Sequence, residues 1–437
     1  MLVYCTQPSP RFDYIARYLL EDLCGFEISI TSDIHLFNAD QGPCLCYAEK
    51  NLAPVSFHIS PYGLLAEEEI KPQEIKTEGW RGHKTFFITN GTDLPFDIFS
   101  ASFFLVSRYE EYLPHEKDMY GRYAHTNSLA YKNDFLKLPL VNCWVMELRR
   151  LLLRKFPHLS YQRRAFSFVP TYDIDMAWTY LHKGFLRNAA GFAKTLLHGQ
   201  WKQAVKRIDV LTGKRNDPYD VYEWLDALHL KYSLRPHYFF LLAKEARGYD
   251  TNIDPEKKEM KDLISYHSMG YTVGIHPSWR SGDEMELLEK EISSLKNITG
   301  GEVTNSRFHY IRFCLPGDYR KLTGAGIKDD FSMGYGDING FRASVSTPFP
   351  WYDLGKEKIT ELTIHPFCWM DANSHYKQAY SPAQAYLELK SYHEIIKKTE
   401  GEMNIISHNS FFSDEPEFDG WKKAYEIFLD EVVYWDL

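Results

Sequence analysis

Residues 165–175 read AFSFVPTYDID, an apolar and β-branched run that stops at two carboxylates, Asp173 and Asp175. Six more runs in the last two-thirds of the chain follow the same plan: RPHYFFLL (235–242, holding His237), YTVGIHPSW (271–279, His276), RFHYIRF (307–313, His309 and Arg312), AGIKDDFS (325–332, Asp329 and Asp330), ITELTIHPF (359–367, His365) and MNIISHNS (403–410, His408 and Asn409). Parallel strands buried on both faces read as near-continuous apolar runs, and in an α/β barrel the loops at their carboxyl ends converge on one mouth. A run that ends in Asp, His or Arg therefore reads as catalytic. An open doubly wound sheet would gather its chemistry at one switch point. Chemistry at nearly every strand end predicts an α/β fold built on a distorted seven-stranded (β/α) barrel.

Between the runs lie helical patterns: DPYDVYEWLDALHLKYSL, with Asn216 or Asp217 as cap and Pro218 in the first turn, then DEMELLEKEISSLKN and SPAQAYLELKSYHEIIKKT. The rhythm of strand and helix starts near residue 161, so the barrel is assigned to 161–437 and a smaller α/β accessory domain to 1–160. That first unit opens with a helical pattern, FDYIARYLLEDLCG, whose Ile15, Tyr18, Leu19 and Leu23 share a face and which Gly25 ends. Strand candidates FEISITS, GPCLCYA and KTFFITN follow, then helical stretches DIFSASFFLVSRYEEYL and VNCWVMELRRLLLRKF. No ligand set gathers at a strand end in this unit.

The formal net charge of −9 gives no global attraction to nucleic acid, and no stripe of basic and aromatic residues accompanies the strand ends. The N-terminus lacks a basic segment followed by an apolar run and a small-residue cleavage site, and no stretch approaches the ~18 apolar residues of a membrane span, so a cytoplasmic protein is expected. Seven Cys are odd in number and lack zinc-ribbon spacing; Cys44 and Cys46 read as buried strand residues. Aromatic residues reach 16%, which suits a carbohydrate-facing cleft and an aromatic-rich core alike.

Asp173 and Asp175 stand two apart and share a strand face. Two neighbouring carboxylates stay ionised together only near a cation, and one beside a metal serves as a base near neutral pH. The competing reading is an Asp that caps the next helix. His276 ends its strand, where a neutral imidazole makes a metal ligand. In a closed barrel the last strand lies beside the first, which sets His408 opposite the aspartates.

The order TYDID, GIHPSW, the Arg312 segment RFCLPGDYRKL and a late strand closing in Ser407-His408-Asn409 resembles the polysaccharide deacetylases, the NodB-like family 4 carbohydrate esterases, over roughly residues 165–410. The first 160 residues are similar to an uncharacterised N-terminal domain that accompanies such deacetylases in Bacteroidetes. The resemblance implies Asp173 as catalytic base, Arg312 as the arginine that orients it, His408 as the acid that protonates the leaving group, and His276 as first metal histidine. Two positions depart from the family pattern. Ile174 stands where the metal aspartate belongs, so that role passes to Asp175; Arg280 stands where the second histidine belongs, and His309 is taken as its replacement, with His365 and His237 as further choices. A divalent ion, zinc by its donor set, would complete a hydrolytic site, since it polarises a carbonyl and lowers the pKa of water from 15.7 to ~7. Arg342, Trp279, Asp371 and His365 are the expected substrate contacts, with Trp351 and Trp369 as additional sugar platforms.

The implied activity is metal-dependent removal of an acyl group, N-acetyl first, from a carbohydrate or a lipid-linked glycan precursor. A metal-dependent amidohydrolase of non-carbohydrate substrates and a degenerate barrel that binds glycan or a partner without turnover are the alternatives. Residues 181–215 stand apart from the rest. They hold eight Lys or Arg against one Asp and repeat apolar residues near helical spacing, which reads either as a basic amphipathic helix on a membrane surface or as a hairpin packed on the barrel.

Overall fold

The computed structural model describes residues 1–244 and 248–433. In the N-terminal unit, strands β1 (Leu2–Cys5), β2 (Ser29–Thr31), β3 (Cys44–Tyr47) and β4 (Phe57–Ile59) form a parallel sheet in the order β2-β1-β3-β4, and β5 (Glu78–Trp80) pairs with β6 (His83–Thr85) as a hairpin. Its first helix runs Pro10–Arg17, with Ser9 as N-cap and Pro10 in the first turn, and continues as a π-helix over Tyr18–Leu23. Gly25 ends it at φ +76, where a Cβ would lie 1.9 Å from the Gln162 carbonyl oxygen. Only glycine fits that crossing. Helix Ile98–Val106 packs Phe99 on Tyr47 of β3, and helix Leu140–Lys155 meets β6, where Trp144 donates to the Lys84 carbonyl. The seven Cys carry free thiols, and Cys44 and Cys46 are buried in β3.

The second sheet has nine strands: β7 (Ser167–Ile174), β8 (His237–Leu241), β9 (Thr272–His276), β10 (Asn305–Ser306), β11 (Asp329–Asp330), β12 (Phe349–Asp353), β13 (Lys358–Ile364), β14 (Phe367–Met370) and β15 (Glu402–His408). Their order is β12-β13-β11-β10-β9-β8-β7-β15-β14, parallel except for β12. The expected seven strands are thus increased by two edge strands, and the sheet curls without a hydrogen-bonded closure. Six of the seven quoted runs overlap strands. The fourth does not: its strand is the preceding Asn305–Ser306, and RFHYIRF leaves the sheet in a tight turn with Tyr310 and Ile311 at positive φ. Left-handed backbone at two bulky residues is strained and aims side chains that a strand would have alternated.

The first and last strands are neighbours, with His408 in register with Asp173. The expected cap is placed differently. Helix Tyr222–Lys231 starts later, and Asp217 instead accepts the backbone N–H groups of Thr179, Tyr180 and Leu181, pinning the turn that leaves β7. One continuous apolar core runs through both units. Tyr14 and Tyr18 donate to the carbonyls of Pro350 and Thr347, Arg11 pairs with Glu357, and Arg342 pairs with Glu111, so the N-terminal unit is anchored on the β12–β13 side.

Candidate active site

The carboxyl ends of β7, β9 and β15 and the turn after β10 converge on a cleft of about 380 Å³. Asp173 and Asp175 both face it, as the strand period requires, while Ile174 between them is fully buried. His276 Nε2 lies 3.2 Å from Asp175 Oδ1, and His309 Nε2 lies 3.6 Å from Asp175 Oδ2. The donor atoms of Asp175, His276 and His309 all fall within 4.8 Å of one another.

The outer contacts fix both imidazoles for ligation. His276 Nδ1–H donates to the Arg307 carbonyl at 2.5 Å, and His309 Nδ1–H donates to Asp250 Oδ1 at 3.0 Å. With Nδ1 committed as a donor, each ring turns its Nε2 toward the same point, where a bound cation would take the place of a proton. The Asp175 Oδ1 atom is buried with no hydrogen-bond partner among the described residues. Burial would raise the Asp175 pKa, but His309 and His276 outweigh it and hold the group well below the usual carboxylate range. Two imidazoles, one carboxylate and an orphaned buried oxygen fit a divalent cation with an open position.

His408 stands on the other side of the aspartates, its Nε2 3.9 Å from Asp175 Oδ2. Asp371 holds it twice, accepting the His408 backbone N–H at 2.6 Å and the Nδ1–H at 2.6 Å. Burial disfavours the charged imidazole, yet Asp371 prevails and raises its pKa to about 10. A charged imidazole with Nε2–H aimed into the cleft is a proton donor.

Several expected residues lie elsewhere. Arg312 does not approach Asp173: it pairs with Asp283 at 2.9 Å and stacks on Trp279. The guanidinium beside Asp173 is that of Arg307, 3.6 Å from Oδ1 and wholly buried. Arg342 is likewise buried, bidentate on Glu111, because a fully desolvated guanidinium requires a carboxylate partner. Both oxygens of Asp371 are spent on His408 and the Ala372 N–H, which leaves none for a sugar. His365 lies outside the cleft, held between Asp329 and Glu402. Trp351 and Trp369 are core residues, and Trp279 stacks on Tyr249 at 4.0 Å beside the cleft.

The cleft also holds residues that sequence reasoning missed. Tyr120 and Arg122 come from the N-terminal unit and form part of the wall. Arg122 donates to the Tyr310 carbonyl at 2.5 Å and to Asp118 at 2.7 Å. Sequence carries no signal for this, because more than one hundred residues separate Arg122 and Tyr310. Asp250 had a faint signal: it is an acid in the loop that follows β8.

The comparisons with known proteins divide along the chain. The profile of a family of unknown function, DUF7033, matches residues 1–157. No curated protein matches the chain. Crystal structures described as polysaccharide deacetylases resemble it: one from Mycobacterium smegmatis at 12% identity (TM-score 0.39, 62% of this chain and 85% of that one), one from Pseudomonas aeruginosa at 14% (0.38, 61% and 83%), and Bc1974 from Bacillus cereus at 12% (0.30, 62% and 88%). At TM-scores this low the likenesses carry no weight for the chemistry. Any functional reading rests on the cleft itself.

Proposed function

We propose that the chain is a metal-dependent hydrolase that removes an acyl group, N-acetyl first, from a carbohydrate. One observation carries the reading: a cation site of Asp175, His276 and His309 opens onto the same cleft as a carboxylate, Asp173, and a charged imidazole, His408. Zinc suits two imidazoles and a carboxylate, and when bound supplies Lewis acidity toward a carbonyl and an acidified water.

The chain's own residues divide the remaining work. Asp173 Oδ2 faces the cation site across 3.9 Å from His276 Nε2 and takes a proton from the attacking water. Arg307, its Nη1 3.6 Å from Asp173 Oδ1, places a positive charge beside the base and helps to orient it. His408 Nε2 gives its proton to the departing amine, and Asp371 stabilises the imidazolium until then. In this division residues 161–437 carry the chemistry, while the accessory unit, residues 1–160, closes one wall through Tyr120 and Arg122. A lipid-linked glycan precursor is the substrate form we favour, given the hairpin described below.

The test is release of acetate from a panel of N-acetylated oligosaccharides, measured before and after chelation and after zinc is restored. Turnover that survives complete chelation, or a protein that binds no divalent ion, overturns the reading.

A further inference from the structure

Residues 185–211 form a helical hairpin, Phe185–Leu197 and Trp201–Leu211, with apolar stripes turned to water. The inner side of the first helix is polar, whereas the second helix buries Ala204 and Val210. Asn188 and Thr195 are the buried residues of the first helix, Asn188 donates to the Tyr180 carbonyl, and Arg207 of the second helix reaches Asn188 Oδ1 at 3.1 Å. The side facing water is apolar. Leu186, Ala190, Ala193 and Leu197 make one exposed stripe at helical spacing, and Trp201, Val205 and Ile208 make another. At the turn between the helices, Leu197 is 86% exposed and Trp201 66% exposed. A globular protein turns such stripes inward, so an outward stripe marks a surface that something covers.

The charges around the turn select the occupant. Lys194 and Lys202 flank Leu197 and Trp201, are exposed, and have no acidic partner within ion-pair distance among the described residues, whereas Lys206 and Arg215 pair with Asp414. A second copy docked through the same hairpin would oppose these lysines to each other. Tryptophan prefers the boundary between apolar and wet phases. We propose that the hairpin tip docks on an anionic lipid bilayer, with Leu197 and Trp201 at the headgroup boundary and Lys194 and Lys202 beside anionic headgroups. The inference does not depend on the hydrolase reading. The hairpin follows β7, and its root is tied near the site: Arg187 donates to the Asn252 carbonyl at 3.1 Å, two residues from the Asp250 that orients His309.

Co-sedimentation of the full chain with phosphatidylcholine vesicles, with and without phosphatidylglycerol, tests this. Binding is expected to need phosphatidylglycerol, and Lys194→Gln and Lys202→Gln should each weaken it about five-fold, corresponding to about 1 kcal/mol. Leu197→Glu with Trp201→Glu should abolish it with the melting temperature unchanged, since both side chains are in water; Trp201→Ser alone serves if the double variant melts lower. Absence of binding, equal binding to both vesicles, or binding indifferent to the tip variants overturns the proposal. A dimer in sedimentation velocity that the tip variants dissolve, without vesicle binding, would overturn it in favour of a second copy.

Discussion

Arg307 and Asp173 face each other across 3.6 Å inside the barrel, and the guanidinium, 4.8 Å from the Phe239 ring centre and 5.7 Å from that of Phe367, makes no side-chain hydrogen bond among the described residues. Its charge is therefore directed at Asp173, and burial, which lowers its pKa, is opposed by Asp173 and Asp330. Arg307→Gln should lower kcat about 10²-fold through misplacement of the base, with metal content unchanged. Arg312→Ala should cost far less, because Arg312 serves Asp283 and Trp279. Equal losses from the two would remove Arg307 from its positioning role.

The cation site predicts a graded series. Alanine at Asp175, His276 or His309 should abolish binding of zinc, while Asp173→Asn should stop turnover and leave binding nearly intact. Asp250→Asn replaces the charged acceptor of the His309 Nδ1–H with a neutral amide and should weaken zinc about 10–100-fold. Titration with a competing chelator measures each step; an unchanged affinity in Asp250→Asn would sink the second half.

The pair of His408 and Asp371 should matter only where a proton must be given. His408→Ala and Asp371→Asn are expected to slow amide hydrolysis about 10²–10⁴-fold. An activated aryl ester, whose leaving group departs as an anion, should be cleaved at close to the native rate by both variants. A matching loss on the ester would show that these residues support the fold or the cation site instead.

Much of this site was legible because strand ends announce it. Asp173, Asp175, His276 and His408 each close a run of buried residues, and the pairing of β7 with β15 follows from their being first and last in the barrel. His309 is singled out only as a stand-in for the histidine that the resemblance implies, and the turn that delivers it is hidden: positive φ at Tyr310 and Ile311 has no glycine to betray it. Arg312 takes its expected role from the family resemblance alone. The strand ends at Ser306, which leaves Arg307 beside Asp173 and carries Arg312 past the turn to Asp283. Asp371 was noticed but given to sugar, since its partner, His408, lies thirty-seven residues away. The strand before it, β14, was absorbed into the run that precedes it.

His365 has a structural task that pH should expose. It joins Asp329 of β11 to Glu402 of β15, strands that are not neighbours in the sheet. Burial lowers its pKa, but those carboxylates prevail and raise it from 6.5 to about 9. A raised histidine stabilises the fold fully below its unfolded value, and the contribution fades as pH climbs through the folded one. Stability should therefore fall between about pH 6.5 and 9, by on the order of 3 kcal/mol at most. Denaturant melts of His365→Gln should lack that slope; an identical slope in the variant would assign it to other groups.

The wall supplied by the N-terminal unit should govern substrate binding more than chemistry. Tyr120 packs near Tyr249, Trp279 and Tyr310, and Arg122 lies over the Tyr120 ring at 4.8 Å. Neither side chain reaches the aspartates or imidazoles through any hydrogen bond or ion pair found among the described residues, so neither can move a proton in the reaction. Tyr120→Ala removes an aromatic face from the cleft and should raise KM about 10-fold with kcat little changed, the size expected of one stacking contact. Gly336→Ala provides an independent route to the same wall. A Cβ there would lie 1.8 Å from Arg122 Nη1 and 2.9 Å from the Tyr310 carbonyl oxygen, so the arginine must give way and release that carbonyl, which must itself yield slightly. It should reproduce the rise in KM without loss of zinc. If kcat falls in both variants while KM holds, the wall acts on the catalytic groups and the division of labour between the two units is wrong.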